Sequence, residues 1–400
     1  MSAPFRPCPH FGRCGGCQRF EPQYPAEFAA KSVDVYEQLQ SALPGVELPP
    51  LQPFQAPPSK GPRGFRGRLL WPVQPGRRGQ VRAGLYAAGS HELIELERCE
   101  VQTPELFALA RGIVEIAHRH GLEAYDEKTH SGFFRAIDIR HLPLRGEALV
   151  TLVTRGGVWE DAPVIARAIR QLGHEIPTRS HRGFRVAGVV RSIHDETGNR
   201  VLGERFVPLL GHDHLVDDIH GLQLRISAGS FYQSNWRAEP LLFAPALDLL
   251  GELSGQRAVD LFAGVGAFGL RMLQRGAAHV EFIESHPRGA ADAEFNLARS
   301  GYSERATLRR ADASDPELLS QLDAQLAVLD PPRKGLGEPG ARALGTAKLQ
   351  RLLYVSCYPK SLARDLSVLL NGPWQLRELR SADLFPRTDH LELVALLERR

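Results

Sequence analysis

The sequence predicts an α/β chain of two bodies: a parallel, doubly wound sheet in its second part and a β-rich α+β domain ahead of it. Three observations predict it. After residue 240, apolar strands alternate with helical stretches, as in RAVDLFAGVGAFGLRMLQRG, HVEFIES, AQLAVLDPP and LQRLLYVSC. From about 60 to 225 short alternating segments dominate (VRAGLYA, AIDIRHLPL, ALVTLVT, GFRVAGVVRSI, GLQLRISA), with one clear helix near 104–120. Finally, 400 residues are too many for one simple core.

In chain order, residues 1–25 are punctuated by Cys, Pro and Gly and show little periodicity. Residues 26–42 carry apolar positions at helical spacing, and PGVELPPLQPFQAPP then reads as a linker. No internal repeat is visible. With 43% hydrophobic and 24% charged residues, the chain is not largely disordered. No apolar run approaches the ~20 residues of a bilayer span. The start, MSAPFRPCPHFGRCGGC, lacks the apolar stretch of a signal peptide, so a cytoplasmic protein is expected. A net charge of +3 excludes a global polycation, and any nucleic-acid surface must be a local patch. Arg outnumbers Lys 43 to 6, which suits phosphate contacts, although GC-rich codons account for most of that bias.

Three of the five cysteines, Cys8, Cys14 and Cys17, fall within ten residues; Cys99 and Cys357 follow. A C-x5-C-x2-C run in a reducing compartment reads as a soft-metal site, because closely spaced thiolates converge on one ion or cluster. Cys99 is the candidate fourth ligand. Spacing alone leaves zinc and iron–sulfur open. From Lys60 to Arg98 there are eight basic residues (Lys60, Arg63, Arg66, Arg68, Arg77, Arg78, Arg82, Arg98) against three acidic ones (Glu92, Glu95, Glu97). Phe65 and Trp71 are interleaved among them, the recipe for phosphate contact plus base stacking on single-stranded RNA.

VDLFAGVGAFGL, residues 259–270, is a strand entering a Gly-rich turn and a helix. Asp260 closes the strand, and Gly264 and Gly266 let the backbone approach a ligand. The loop reads as departing from the dinucleotide pattern G-x-G-x-x-G at its third glycine, with Leu270 standing at that place. Glu284 ends the next strand, where a carboxylate binds ribose hydroxyls, and Asp312 follows a third strand, in reach of an adenine edge. LDPPRKG places Asp330 beyond a fourth strand, and YVSCYP places Cys357 at the end of a fifth. A strand-end Cys beside a methyl donor suits covalent catalysis. Carbon 5 of a pyrimidine is too weak a nucleophile until a thiolate adds at carbon 6. After methyl transfer a base must remove the carbon 5 proton, and Glu392 in FPRTDHLE is the candidate.

The segments SCYP, DPPRKG, DLFAGVGAFGL, FPRTDHLE and SFYQSN, with the four remaining cysteines, resemble the RNA uracil-5-methyltransferases over essentially the whole chain. The resemblance implies a class I (Rossmann-like) methyltransferase domain and an RNA-binding domain carrying an iron–sulfur cluster. It implies methylation of a uridine in 23S ribosomal RNA or in the T-loop of tRNA. Cys357 is then the nucleophile and Glu392 the base. Gln233, Phe262, Gly264, Gly266, Glu284, Asp312 and Asp330 would hold S-adenosylmethionine, and Cys8, Cys14, Cys17 and Cys99 a [4Fe–4S] cluster. The chain departs from the family in having SCYP for the frequent SCNP, Lys360 and Ser361 near a usual Thr, and Ala267 for a frequent Asn. Because the cysteine run begins at residue 8, the amino-terminal RNA-binding barrel (TRAM domain) of some members is expected to be absent. That resembles the shorter ribosomal RNA enzymes, and a monomer acting on 23S ribosomal RNA is expected. The family architecture further implies discontinuous domains, 1–25 plus 58–225 and 26–57 plus 226–400. A tRNA enzyme and a non-catalytic RNA-binding protein are the alternatives.

Overall fold

The computed structural model describes residues 8–59, 61–178, 181–198 and 200–400; Lys60 of the basic stretch lies outside them, as does the side chain of Arg78. Tyr24, Phe28, Val35 and Leu39 recur at helical spacing behind a first-turn Pro25 and form α1 (Tyr24–Ala42). The Pro-rich stretch expected to be a linker contains β1 (Leu51–Pro53). That strand pairs in parallel with the residues around Leu379, and its prolines are tolerated because it is an edge strand.

The next body starts with β2 (Arg68–Pro75), β3 (Val81–Ala83), β4 (Leu85–Tyr86) and β5 (Leu93–Ile94). It continues with α2 (Pro104–Arg119), β6 (Phe134–Leu142), β7 (Glu147–Thr154), α3 (Ala162–Glu175), β8 (Arg185–Ile193) and β9 (Arg205–Gly211). The sequence signalled only α2; α3 joins β7 to β8 as a parallel crossover, and the rest of this six-stranded sheet is antiparallel. In β2 the alternation turns Leu69, Trp71 and Val73 onto α2 and the core. Trp71 is therefore 2% exposed and Phe65 5%, so neither aromatic can stack on a base, as their interleaving had suggested. The basic residues are also partly committed: Arg68 forks onto Asp138 at 2.9 and 3.1 Å, and Arg82 pairs with Glu95 at 2.6 Å.

A hairpin of β10 (His214–Ile219) and β11 (Leu222–Ser227) follows. The expected boundary at 225–226 falls inside β11. Ile219, Leu222, Leu224 and Ile226 pack into the core of the last body, while Leu215 packs with Leu142, Leu149 and Val190 of the one before.

The last body holds α4 (Ala244–Leu249), β12 (Arg257–Leu261), α5 (Ala267–Gln274), β13 (His279–Ile283), α6 (Pro287–Arg299) and β14 (Ala306–Arg309). Then come α7 (Pro316–Ser320), β15 (Leu326–Leu329), α8 (Glu338–Leu344), β16 (Arg351–Ser356), α9 (Pro359–Asn371), β17 (Trp374–Ala382) and β18 (Glu392–Arg399). β15 is buried at every position, as a strand covered on both faces must be. The eight-stranded sheet runs β1-β17-β18-β16-β15-β12-β13-β14. It is parallel except for β18, which is antiparallel to both neighbours. One face packs α1, α8 and α9, where Phe28, Leu39, Leu362 and Trp374 meet; the other packs α4, α5 and the hairpin. Each fully buried Leu or Val in these layers is worth about 1.5–3 kcal/mol. Among the described residues no helix is long and apolar enough to cross a membrane.

Candidate active site

Register brings the chemistry to one edge. Leu261 pairs with both Ile283 and Leu329, so the carboxyl ends of β12, β13 and β15 lie level, followed by Phe262, Glu284 and Asp330. Ser356 pairs with Leu393 on the antiparallel β18, which sets Cys357 beside Glu392 one step further along. In a doubly wound sheet this is the edge where ligands bind.

The turn after β12 is strained where it must approach a ligand. Phe262 takes φ +62°, a left-handed conformation that costs a non-glycine residue energy. Gly264 (φ +56°) and Gly266 (φ +89°) need no such compensation. A Cβ at Gly269 would stand 2.2 Å from the Phe282 ring, so only glycine lets α5 lie on β13. Gly264, Gly266 and Gly269 thus complete the G-x-G-x-x-G spacing, and reading Leu270 as the third position counts one residue too far. The glycines therefore do not separate this loop from a dinucleotide site. Asp260, also buried, accepts from the Gly269 amide at 2.7 Å and is lifted to about 8 by burial. Glu284 takes the Gly264 amide at 2.7 Å on one oxygen and the His286 amide at 2.5 Å on the other. Asp312 is exposed beyond β14; the Ser314 hydroxyl (2.7 Å) and amide (2.9 Å) hold it below the usual carboxylate range. Gln233 is buried in the SFYQSN turn, and Phe231 beside it is 65% exposed. Sequence reasoning passed over that ring, although an apolar side chain in a polar motif was the signal.

Cys357 is half-buried, and burial, then the charges of Glu392 and Asp330, push its thiol up to about 12. Arg333, stacked 5.3 Å from the centre of the Tyr358 ring, pulls the other way. Glu392 is 3% exposed and its Oε2 has no hydrogen-bond partner. Burial and Asp330 raise its carboxyl well above the ordinary range, with Lys31 opposing. Burial also raises Asp330. The loop around Asp330 is anchored by buried Asp365, which accepts from Leu336 N at 2.8 Å and the Tyr354 hydroxyl at 2.6 Å. A thiol that can ionise beside two buried carboxyls can add as its thiolate, and the carboxyls can exchange protons with the adduct.

A structural partner for Glu392 would have been Arg387, five residues upstream. Arg387 instead pairs with Glu27 of α1. Beside it Lys31, fully buried, bonds Asp383 at 2.7 Å and the Phe385 carbonyl at 3.0 Å, and the Tyr24 hydroxyl donates to Asp383 at 2.7 Å. This polar layer was missed. Its signal was a lysine, one of only six, in the stripe Tyr24, Phe28, Lys31, Val35, Leu39.

Cys8, Cys14, Cys17 and Cys99 are free thiols lining one pocket with Arg66 and Phe20. Burial and the other three cysteines push Cys17 up to about 12, with Arg387 opposing. Among the described residues, no three His, Cys, Asp or Glu side chains gather as the ligands of a metal ion. Nε of Arg66, however, is buried without a partner, and its guanidinium feels Cys99 and Cys17. The backbone here reaches the cofactor end of the site: Gly67 N donates to Ser234 O at 2.7 Å.

A family model described as tRNA (Uracil-5-)-methyltransferase matches residues 314–400, and one described as Conserved hypothetical protein 95 matches 245–349. An uncharacterized RNA methyltransferase of Gloeobacter violaceus is 34% identical over 98% of this chain and 82% of its own. One from Halalkalibacterium halodurans is 31% identical over 98% and 83%. The crystal structure of Pyrococcus abyssi tRNA (uracil-54, C5)-methyltransferase with S-adenosyl-L-homocysteine superposes with TM-score 0.74 at 22% identity, covering 97% of this chain and 86% of that one. It has the same fold. With near-full-length relatives above 30% identity, this chain belongs to their family of RNA methyltransferases, and the uracil-5 model lies over the segment that carries Cys357 and Glu392.

Proposed function

We propose that this enzyme methylates carbon 5 of a uridine in 23S ribosomal RNA, in the cytoplasm, through a covalent Cys357 adduct. One observation carries the reading: a half-buried thiol faces a buried glutamate whose Oε2 has no partner, at the ligand-binding edge of the sheet. Cys357, as its thiolate, adds to carbon 6, breaking the 5,6 double bond and leaving an enolate. S-adenosylmethionine, as co-substrate, supplies the methyl group that carbon 5 takes. Glu392 then accepts the carbon 5 proton, the double bond re-forms and the carbon 6–sulfur bond breaks, returning the thiolate. Glu284 would hold the ribose hydroxyls, Asp312 the adenine edge, and Gln233, Phe262, Gly264, Gly266 and Asp330 the rest of the co-substrate.

Cys8, Cys14, Cys17 and Cys99 would hold a [4Fe–4S] cluster, one thiolate on each iron. The donor set fits: four thiols share a pocket, and the partnerless Arg66 Nε suits an anionic group there. A single zinc would need the sulfurs drawn to about 2.3 Å from one point. When bound, the cluster would supply a structural cross-link between the 8–17 arm and Cys99. About four irons per chain after anaerobic purification support this, and stoichiometric zinc overturns it.

The decisive experiment uses RNA carrying 5-fluorouridine, whose fluorine no base removes as a proton. Wild type should form a denaturation-resistant protein–RNA adduct; Cys357→Ala should form none and should lose methylation while still binding S-adenosylmethionine. Methylation by the Ala variant would sink the assignment. Mapping 5-methyluridine in ribosomal RNA and tRNA from a deletion strain separates the two substrates.

A further inference from the structure

Arg387 lies five residues before Glu392, and its backbone is held at φ +69°, where a non-glycine residue is strained. Four sets of contacts maintain it. Its carbonyl accepts from the amides of Gln18 and Arg19 at 2.8 and 2.9 Å, the two residues directly after Cys17. Its own amide donates to Glu27 Oε1 at 3.0 Å. Its guanidinium donates to Glu27 Oε2 and to the Glu21 carbonyl, the latter at 3.1 Å. The same guanidinium lies over the rings of Phe20 and Tyr24, at 4.6 and 5.7 Å. Two residues further on, Asp389 pairs with Arg19 at 2.6 Å. The 383–389 loop is thus gripped from below by α1 and from the front by the cysteine-bearing arm.

We propose that Arg387 is a positioning residue that couples the cysteine-bearing arm to Glu392, so that the order of residues 8–20 sets the placement of the carboxylate at the reacting base. The proposal rests on the reading of Glu392 as the proton acceptor. Glu392 makes no Oε2 hydrogen bond of its own, so its position is inherited from the chain on either side. On one side β18 fixes it; on the other it follows the buried Leu391 and the loop that Arg387 anchors. Loosening Arg387 should therefore slow proton removal more than methyl transfer, which needs Cys357 and the strand ends.

The test compares the full-length, anaerobically purified wild type with Arg387→Lys and with the double variant Glu27→Gln/Arg387→Met. The double variant removes the ion pair without stranding either charge in the interior, and so protects against simple misfolding. Amide hydrogen exchange should rise about tenfold in both 8–20 and 383–392, and stay unchanged in β12 and α5. With tritium at carbon 5 of the uridine and a labelled methyl donor, tritium release should lag methyl transfer, and a methylated protein–RNA adduct should build up. Arg387→Lys, keeping a cation opposite Glu27, should recover part of both effects. Exchange that rises only in 383–392 overturns the coupling to the arm. Tritium release and methyl transfer staying in step overturns the positioning role. Glu392→Gln run alongside separates the two claims: if it builds up no adduct, the base assignment fails, and the exchange pattern alone still decides the tether.

Discussion

Two buried glutamates lie within one neighbourhood and are built oppositely. Glu27, on α1, takes the Glu21 amide at 3.1 Å, the Arg387 amide at 3.0 Å and the Arg387 guanidinium. Glu392, at the start of β18, keeps an oxygen with no partner and shares its surroundings with Asp330 and Cys357. A carboxylate that the fold uses is saturated with donors, whereas one kept for chemistry is left short of them and raised in pKa. The unsatisfied oxygen costs stability, a cost that the proposed role of Glu392 at the reacting base would account for.

The sharpest way to break this contrast is Glu392→Gln. Turnover should fall about 10²–10⁴-fold, the range of a lost general base, and a methylated adduct should accumulate on a denaturing gel. Stability should hold or rise, because an amide in that site has no charge to desolvate. A loss of stability with free methylated product would make Glu392 a second Glu27. Next in size is Glu27→Ala, which strands the Arg387 guanidinium in the interior; denaturant unfolding should show a loss of about 3–5 kcal/mol. Little change there would mean that the Glu27 bonds are as dispensable for folding as those Glu392 lacks. The smallest effect is expected at Arg333, whose charge holds the Cys357 thiol down against its two acidic neighbours. Removing that charge lets the pKa climb further, so less thiolate exists at any given pH. In Arg333→Gln, adduct formation with 5-fluorouridine RNA should be about two- to fivefold slower near neutral pH, and its pH profile should move upward. A profile that moves downward would exclude Arg333 from the thiol's electrostatics.

The strand-end chemistry was legible because each residue sits at a fixed offset from an apolar run. Asp260, Glu284, Asp330 and Cys357 each close or follow such a run, and parallel register carries them to one edge. What escaped depends on contacts between distant segments. The basic stretch with Phe65 and Trp71 looks the same in sequence whether its aromatics face RNA or the core, and for Trp71 α2 decides it. The α3 crossover was hidden by strongly alternating neighbours. β1 was hidden by its prolines, which an edge position tolerates. The layer of Glu27, Lys31, Asp383 and Arg387 joins the two ends of the chain, and no local pattern announces such a pairing.

That layer also orders the making of the protein. Lys31 and Glu27 find their partners 352 and 360 residues later. At a synthesis rate of about 5–20 residues per second, two charges destined for the interior wait in water for roughly 20–70 s. β1 waits as well, since among the described residues its neighbour in the sheet is β17. The six-stranded sheet between them needs nothing beyond residue 211 to complete its pairing and can close while the chain is still growing. The first helix of this enzyme is therefore among the last to dock. A chain stopped before residue 383 loses its amino-terminal helix as surely as its carboxyl-terminal strand.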